Sequence, residues 1–146
     1  MAINFDQAVE IIIKHEGGYI AHPLDPGGET KYGISKKSYP HLDIKLLTVE
    51  KAKVIYKEDF WNKCEIDKLP DLLKLIYFDC AVNQGPRRAK EFYDQAKGLA
   101  QKPETILARF ASIRMNHYTS LPGWKTFGAG WSKRLLDVTL RSIAEF

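Results

Sequence analysis

No stretch of this 146-residue chain approaches the roughly 20 consecutive apolar residues needed to cross a bilayer, which argues against a transmembrane segment. Its opening, Met1-Ala2-Ile3-Asn4-Phe5-Asp6, lacks the basic start and apolar run of a secretory signal. A chain made in the cytoplasm is therefore expected. Cysteine is scarce: Cys64 and Cys80 are the two present, and both sit beside apolar positions read as helical. Free, buried thiols are expected there. No CxxC or HxxxH spacing joins His15 and His22 to other ligands, so neither a metal site nor a cofactor is expected, and both histidines are read as lining a polar cleft or facing solvent. Repeats, low-complexity runs and flexible linkers are absent as well. With 45% hydrophobic residues over this length, one domain with its own core is expected over 1–146, and a second would be cramped. We expect a monomer.

What the chain does have is concentrated near its start. Asn4 is a candidate N-cap with Gln7 as its reciprocal partner and Ile3 as a hydrophobic staple. Phe5, Val9, Ile12, Ile13 and Glu16 then share one face of a 3.6-residue helix, and Gly17-Gly18 ends it. Glu16 thus lies in the last turn on the core side. Apolar surroundings and the negative end of the helix dipole both disfavour its charged form, so a raised pKa and a role as proton donor are expected.

A turn-rich segment follows, with Pro23, an Asp25-Pro26-Gly27-Gly28 reversal, and Thr30, Tyr32 and Ile34 at period two. It reads as a small β-hairpin beside the first helix. Asp25 lies nine residues after Glu16 and Thr30 fourteen after it, near enough in the chain to border one cleft. Taken alone, Asp25 is ordinary turn chemistry.

The rest reads as helices with short connections: one capped by Thr48 and running through Trp61, one from Pro70 through Asn83, one broken in by Gly85-Pro86 and ended by Gly98, one from Pro103 to the Leu121-Pro122-Gly123 turn, and a last one from Trp131 to Ile143. The buried candidates of that last helix are Leu135, Leu136, Val138 and Leu140. In the Pro70 helix, Leu72, Leu75, Ile76, Asp79 and Asn83 share a face, so Asp79 needs buried partners while Asn83 is free to reach a cleft. The segment Leu121–Trp131 is read as a loop, with Trp131 and Phe127 packed in the core. The expected class is therefore α+β, mostly helical.

Charge is uneven: residues 1–85 carry 11 Lys and Arg against 13 Asp and Glu, and residues 86–146 carry 11 against 5. That leaves the second part basic, suited either to anionic partners or to a solvated helix face. Its cations are scattered and accompany no recognised motif, which argues against nucleic acid.

The run Glu16-Gly17-Gly18-Tyr19, Pro23, Asp25, Gly27-Gly28, Thr30, Tyr32-Gly33-Ile34-Ser35 resembles the signature of the glycoside hydrolase 108 family, N-acetylmuramidase endolysins of bacteriophages and prophages. Asp79, Val82-Asn83-Gln84-Gly85-Pro86 and Ala89 resemble a second block, and Gly130-Trp131 with Arg134 a closing motif. The chain is similar also to the wider phage-type lysozymes. The resemblance implies a lysozyme-like fold and cleavage of the β-1,4 bond between N-acetylmuramic acid and N-acetylglucosamine in peptidoglycan, with Glu16 as proton donor. The wider lysozyme pattern adds Asp25 as second carboxylate and Thr30 to position water. From the residues themselves, Tyr19 and Tyr32, whose rings suit the C–H faces of sugars, and His22 and Asn83, read as bordering the cleft, are the substrate-binding candidates. For such an enzyme the anionic partners of the basic half are cell-wall or outer-membrane polymers, and release to the wall goes through a holin. A lytic transglycosylase and a non-catalytic wall-binding module are the alternatives.

Overall fold

The computed structural model describes residues 3–21, 28–99 and 102–144. They fall into two units: Asn4–Asp59, and the residues from Phe60 onward together with Ile3.

The first unit opens with α1 (Phe5–Glu16). Its start is a complete capping box: Asn4 Oδ1 accepts from Gln7 N at 2.9 Å and Gln7 Oε1 accepts from Asn4 N at 3.1 Å. It stops where expected, at Gly17, whose φ of 80° suits glycine. Three short antiparallel strands follow: β1 (Ile20–Ala21), β2 (Glu29–Lys31) and β3 (Ile34–Ser35), in the order β1-β2-β3. This corrects the reading of Thr30, Tyr32 and Ile34 as one strand. Tyr32 and Gly33 have φ of 54° and 80° and form a two-residue turn, so the chain reverses and Ile34 pairs back with Lys31. Two consecutive positive φ values match the twist of a tight hairpin, which simple alternation of side chains does not reveal. The helix α2 (Val49–Tyr56) is capped by Thr48, whose Oγ1 accepts from Lys51 N, and continues as a π-helical turn over Lys57–Asn62. Ala8, Val9, Ile12, Ile34, Leu42, Ile44, Leu47, Ala52 and Tyr56 are the buried apolar residues that hold this unit.

The second unit is helical: α3 (Asp71–Gln84), α4 (Pro86–Lys97), α5 (Pro103–Ser120) and α6 (Trp124–Ile143). From Leu75 to Ala81 every residue of α3 is buried, because α4, α5 and α6 all pack on it. Pro86 at the first position of α4 costs nothing, since the N–H it lacks would have had no partner in the helix. Two expectations fail in α6. The helix starts at Trp124 rather than Trp131, so most of the expected loop is its first two turns. Gly123, Gly128 and Gly130 lower helix propensity and gave the segment its loop-like look. At two of them small size is what lets the aromatics lie down: a Cβ on Gly128 would meet the Trp124 ring at 2.6 Å, and one on Gly123 would meet Phe127 and Trp131 at 3.2 Å. The core assignment holds for Leu135 and Val138, which are buried, and fails for Phe127, Leu136 and Leu140, which are 59%, 59% and 45% exposed. Trp131 is half-buried and stacks on Tyr118 with ring centroids 5.3 Å apart. No helix among the described residues is long and apolar enough to cross a membrane, and both cysteines are free.

Candidate active site

Glu16 is the last residue of α1 and is half-buried. The Tyr32-Gly33 turn fixes its surroundings. A Cβ on Gly33 would lie 2.8 Å from Glu16 Cγ, 2.9 Å from its Cβ and on top of the Tyr56 hydroxyl. Only glycine can occupy that position, on two grounds: its φ is positive, and the stem of Glu16 fills the space a side chain would need. Tyr56, buried on α2, donates from its hydroxyl to the carbonyl of Tyr32 at 2.6 Å. That bond helps offset the cost, on the order of 1–2 kcal/mol, of holding a tyrosine in the left-handed region. The acid, the turn and the buried tyrosine thus form one contact set drawn from α1, the sheet and α2.

The other candidates of this unit divide. Thr30 is central in β2, opposite Ile20 on one side and Ser35 on the other, and is half-buried. Tyr19, 38% exposed, donates its hydroxyl to Glu29 Oε2 at 2.6 Å. That hydrogen bond to the carboxylate, more than burial, raises its pKa. Tyr32 sits in the turn with Lys31 Nζ 5.5 Å from its ring centre. His22 and Asp25 lie outside the described residues.

Asn83 belongs to the second unit, where its Oδ1 accepts the hydroxyl of Tyr118. The same network centres on Asp79, fully buried on α3. Arg114 Nη2 donates to its Oδ2 at 2.8 Å and Arg134 Nε to its Oδ1 at 2.9 Å. Burial by itself pushes this carboxyl up, but the two guanidinium groups outweigh it and hold it below the usual carboxylate range. Arg114 bridges further, from Nε to Gln84 Oε1 at 2.6 Å and from Nη2 to the Tyr118 hydroxyl at 3.0 Å. Asp79 is therefore a structural anchor, in line with the buried network its place on an apolar helix face demanded.

A model of the family described as glycosyl hydrolase 108 matches residues 9–85, just over half of the chain. The chain belongs to the glycosyl hydrolase 108 family. Among solved structures, that of Brucella abortus SagA superposes with a TM-score of 0.85 at 29% identity, over 95% of this chain and 93% of SagA. No curated protein matches the chain in sequence. As a glycosyl hydrolase 108 member the chain is a glycoside hydrolase of helix-rich α+β fold, and a peptidoglycan substrate fits the family.

Chemically, such an enzyme needs a proton donor at the leaving oxygen and a second group for the opposite face of the sugar. In this glycosyl hydrolase 108 chain, Glu16 is half-buried, held by its stem and backed by a rigid turn, which is what a positioned acid requires. No group of three or more histidines, cysteines and carboxylates is gathered as a metal site among the described residues. Sequence reasoning missed three things here. The Gly33 contact was signalled by a glycine following tyrosine between two β-branched or apolar runs. Tyr56 was read only as part of an apolar stripe. Arg114 and Arg134 had a clue in Asp79 itself, since a carboxylate on an apolar face calls for a buried cation, and Arg114 is one turn after Phe110 on the face that α5 buries.

Proposed function

We propose that the chain is a muramidase that cleaves the β-1,4 bond between N-acetylmuramic acid and N-acetylglucosamine, with Glu16 donating the proton to the departing oxygen. The observation that carries this is the packing of the Glu16 stem against Gly33 beneath the Tyr56 hydroxyl. A residue for which the fold clears a glycine-sized space, in a family of glycoside hydrolases, is the natural general acid. Asp25 serves as the second carboxylate, stabilising the oxocarbenium-like transition state or orienting water, and Thr30 helps to place that water. Tyr19, His22, Tyr32 and Asn83 contact substrate. The role that goes with this chemistry is host-cell lysis by a bacteriophage endolysin that reaches the wall through a separately encoded pore. Digestion of purified peptidoglycan tests the reading: new reducing ends on N-acetylmuramic acid are expected, whereas anhydro-sugar ends would make the chain a lytic transglycosylase and no cleavage would remove the activity altogether.

A further inference from the structure

Along one side of α4, Arg87, Lys90 and Lys97 follow one another at steps of three and seven residues, with Asp94 between the last two. At 1.5 Å per residue the row is about 15 Å long. It forms one wall of a groove whose other wall is the segment Lys63–Leu69, where Lys63 and Lys68 face it. The two tyrosines of the floor meet edge to face: Tyr77 from α3 and Tyr93 from α4 lie 5.5 Å apart, and Lys97 Nζ is 4.9 Å from the Tyr93 ring centre. Leu69 and Pro86 complete the apolar lining.

Five cations thus line the groove against two carboxylates, Glu65 and Asp94. The pairings inside it are those of exposed side chains. Lys90 to Asp94 spans 2.9 Å with side chains 74% and 51% exposed, and Lys68 to Glu65 spans 2.6 Å with both more than 60% exposed. Pairs of this kind contribute little and leave their cations open to a stronger anion. Lys63 has no acidic partner among the described residues.

We propose that this groove holds a sugar- or polyol-phosphate polymer of the bacterial envelope, tethering the enzyme to the wall. A row of separate cations fits a linear chain of repeated negative charges better than a single carboxylate. The apolar floor between the walls fits the carbon backbone that links the phosphates. The groove draws three of its cations, Arg87, Lys90 and Lys97, from the basic part of the chain and two, Lys63 and Lys68, from the segment before α3. This tethering role rests on the reading of peptidoglycan as substrate, since it places the enzyme beside its bond.

The test uses the full chain with Glu16→Gln, so that walls stay intact during sedimentation. Walls carrying teichoic acid are compared with the same walls stripped of it by hydrofluoric acid. Each cation beside an anionic polymer contributes about fivefold, so Lys63→Gln with Arg87→Gln and Lys90→Gln is expected to weaken binding to intact walls at least about tenfold and to leave binding to stripped walls unchanged. Binding of the parent to intact walls falls as salt is raised. With Glu16 restored, the triple variant cleaves stripped peptidoglycan at the parent's rate. Unchanged binding of the triple variant to intact walls would overturn the tether. So would an equal loss in Lys125→Gln with Lys133→Gln, exposed cations of α6, or equal displacement of the parent by single-stranded DNA, because each marks non-specific attraction. Failure of the parent to cleave stripped peptidoglycan would instead sink the muramidase reading and leave the binding result standing.

Discussion

Two helical carboxylates, one in the interior of α3 and one at the end of α1, sit in different surroundings. Asp79, on α3, is fully buried and fixed by Arg114 and Arg134. Glu16, at the end of α1, is half-buried and held by packing of its stem against a glycine turn. The first carboxyl has its charge locked by two guanidinium groups and cannot trade a proton at neutral pH. The stem of the second packs against the Tyr32-Gly33 turn, where a Cβ on Gly33 would lie 2.8 Å from Glu16 Cγ.

The sharpest way to break this contrast is at Asp79. Replacing it by asparagine removes the shared anion from two buried cations, a change that costs about 3–5 kcal/mol in such sites. For a chain of this length that is a fall in melting temperature on the order of 10 °C; a melting curve within a degree or two of the parent would show that the cluster is not the anchor. The same group sets an acid limit. Because its pKa in the folded chain is below its ordinary 3.8, its contribution is complete above that value and is lost as pH falls through the lower folded value. Melting temperatures should therefore bend downward below about pH 4 in the parent, and this contribution should be missing in Asp79→Asn.

Gly33→Ala comes next. The substitution combines a strained φ with a methyl group in the space of Glu16 Cγ, and misplacing a catalytic group by about 1 Å costs up to about a hundredfold. We expect a drop of about 10- to 100-fold in kcat with KM little changed, and a parent-like kcat would separate the turn from the acid. Tyr56→Phe is milder. It deprives the Tyr32 carbonyl of its donor, worth about 1–3 kcal/mol where the group is buried, so a smaller loss of kcat and a modest fall in melting temperature are expected. No change in either would remove Tyr56 from the set.

Much of this fold was legible because local signals were strong. The Asn4 and Gln7 box and the Thr48 cap specify helix starts by their own hydrogen bonds, and Gly85-Pro86 specifies a break by a positive φ and a missing N–H; the structure places all three. What escaped was decided by tertiary contact. The second hairpin turn depends on Tyr56, 24 residues later in the chain, and the early start of α6 on rings lying across glycines. Exposed Leu136 and Leu140 show the limit of periodicity, which finds an apolar stripe without saying whether anything covers it. For the site, Glu16 could be placed from helix phase alone, whereas Gly33 and Tyr56 needed the fold, and Asp25 and His22 lie outside the described residues.

The central claim is that Glu16 is the proton donor and not a structural carboxylate. Glu16→Gln keeps the stem that packs on Gly33 and removes only the ionisable group, so hydrolysis of purified peptidoglycan by this variant tests it most directly. We expect a loss of at least about a hundredfold in rate with an unchanged melting temperature; hydrolysis near the parent's rate would contradict the account.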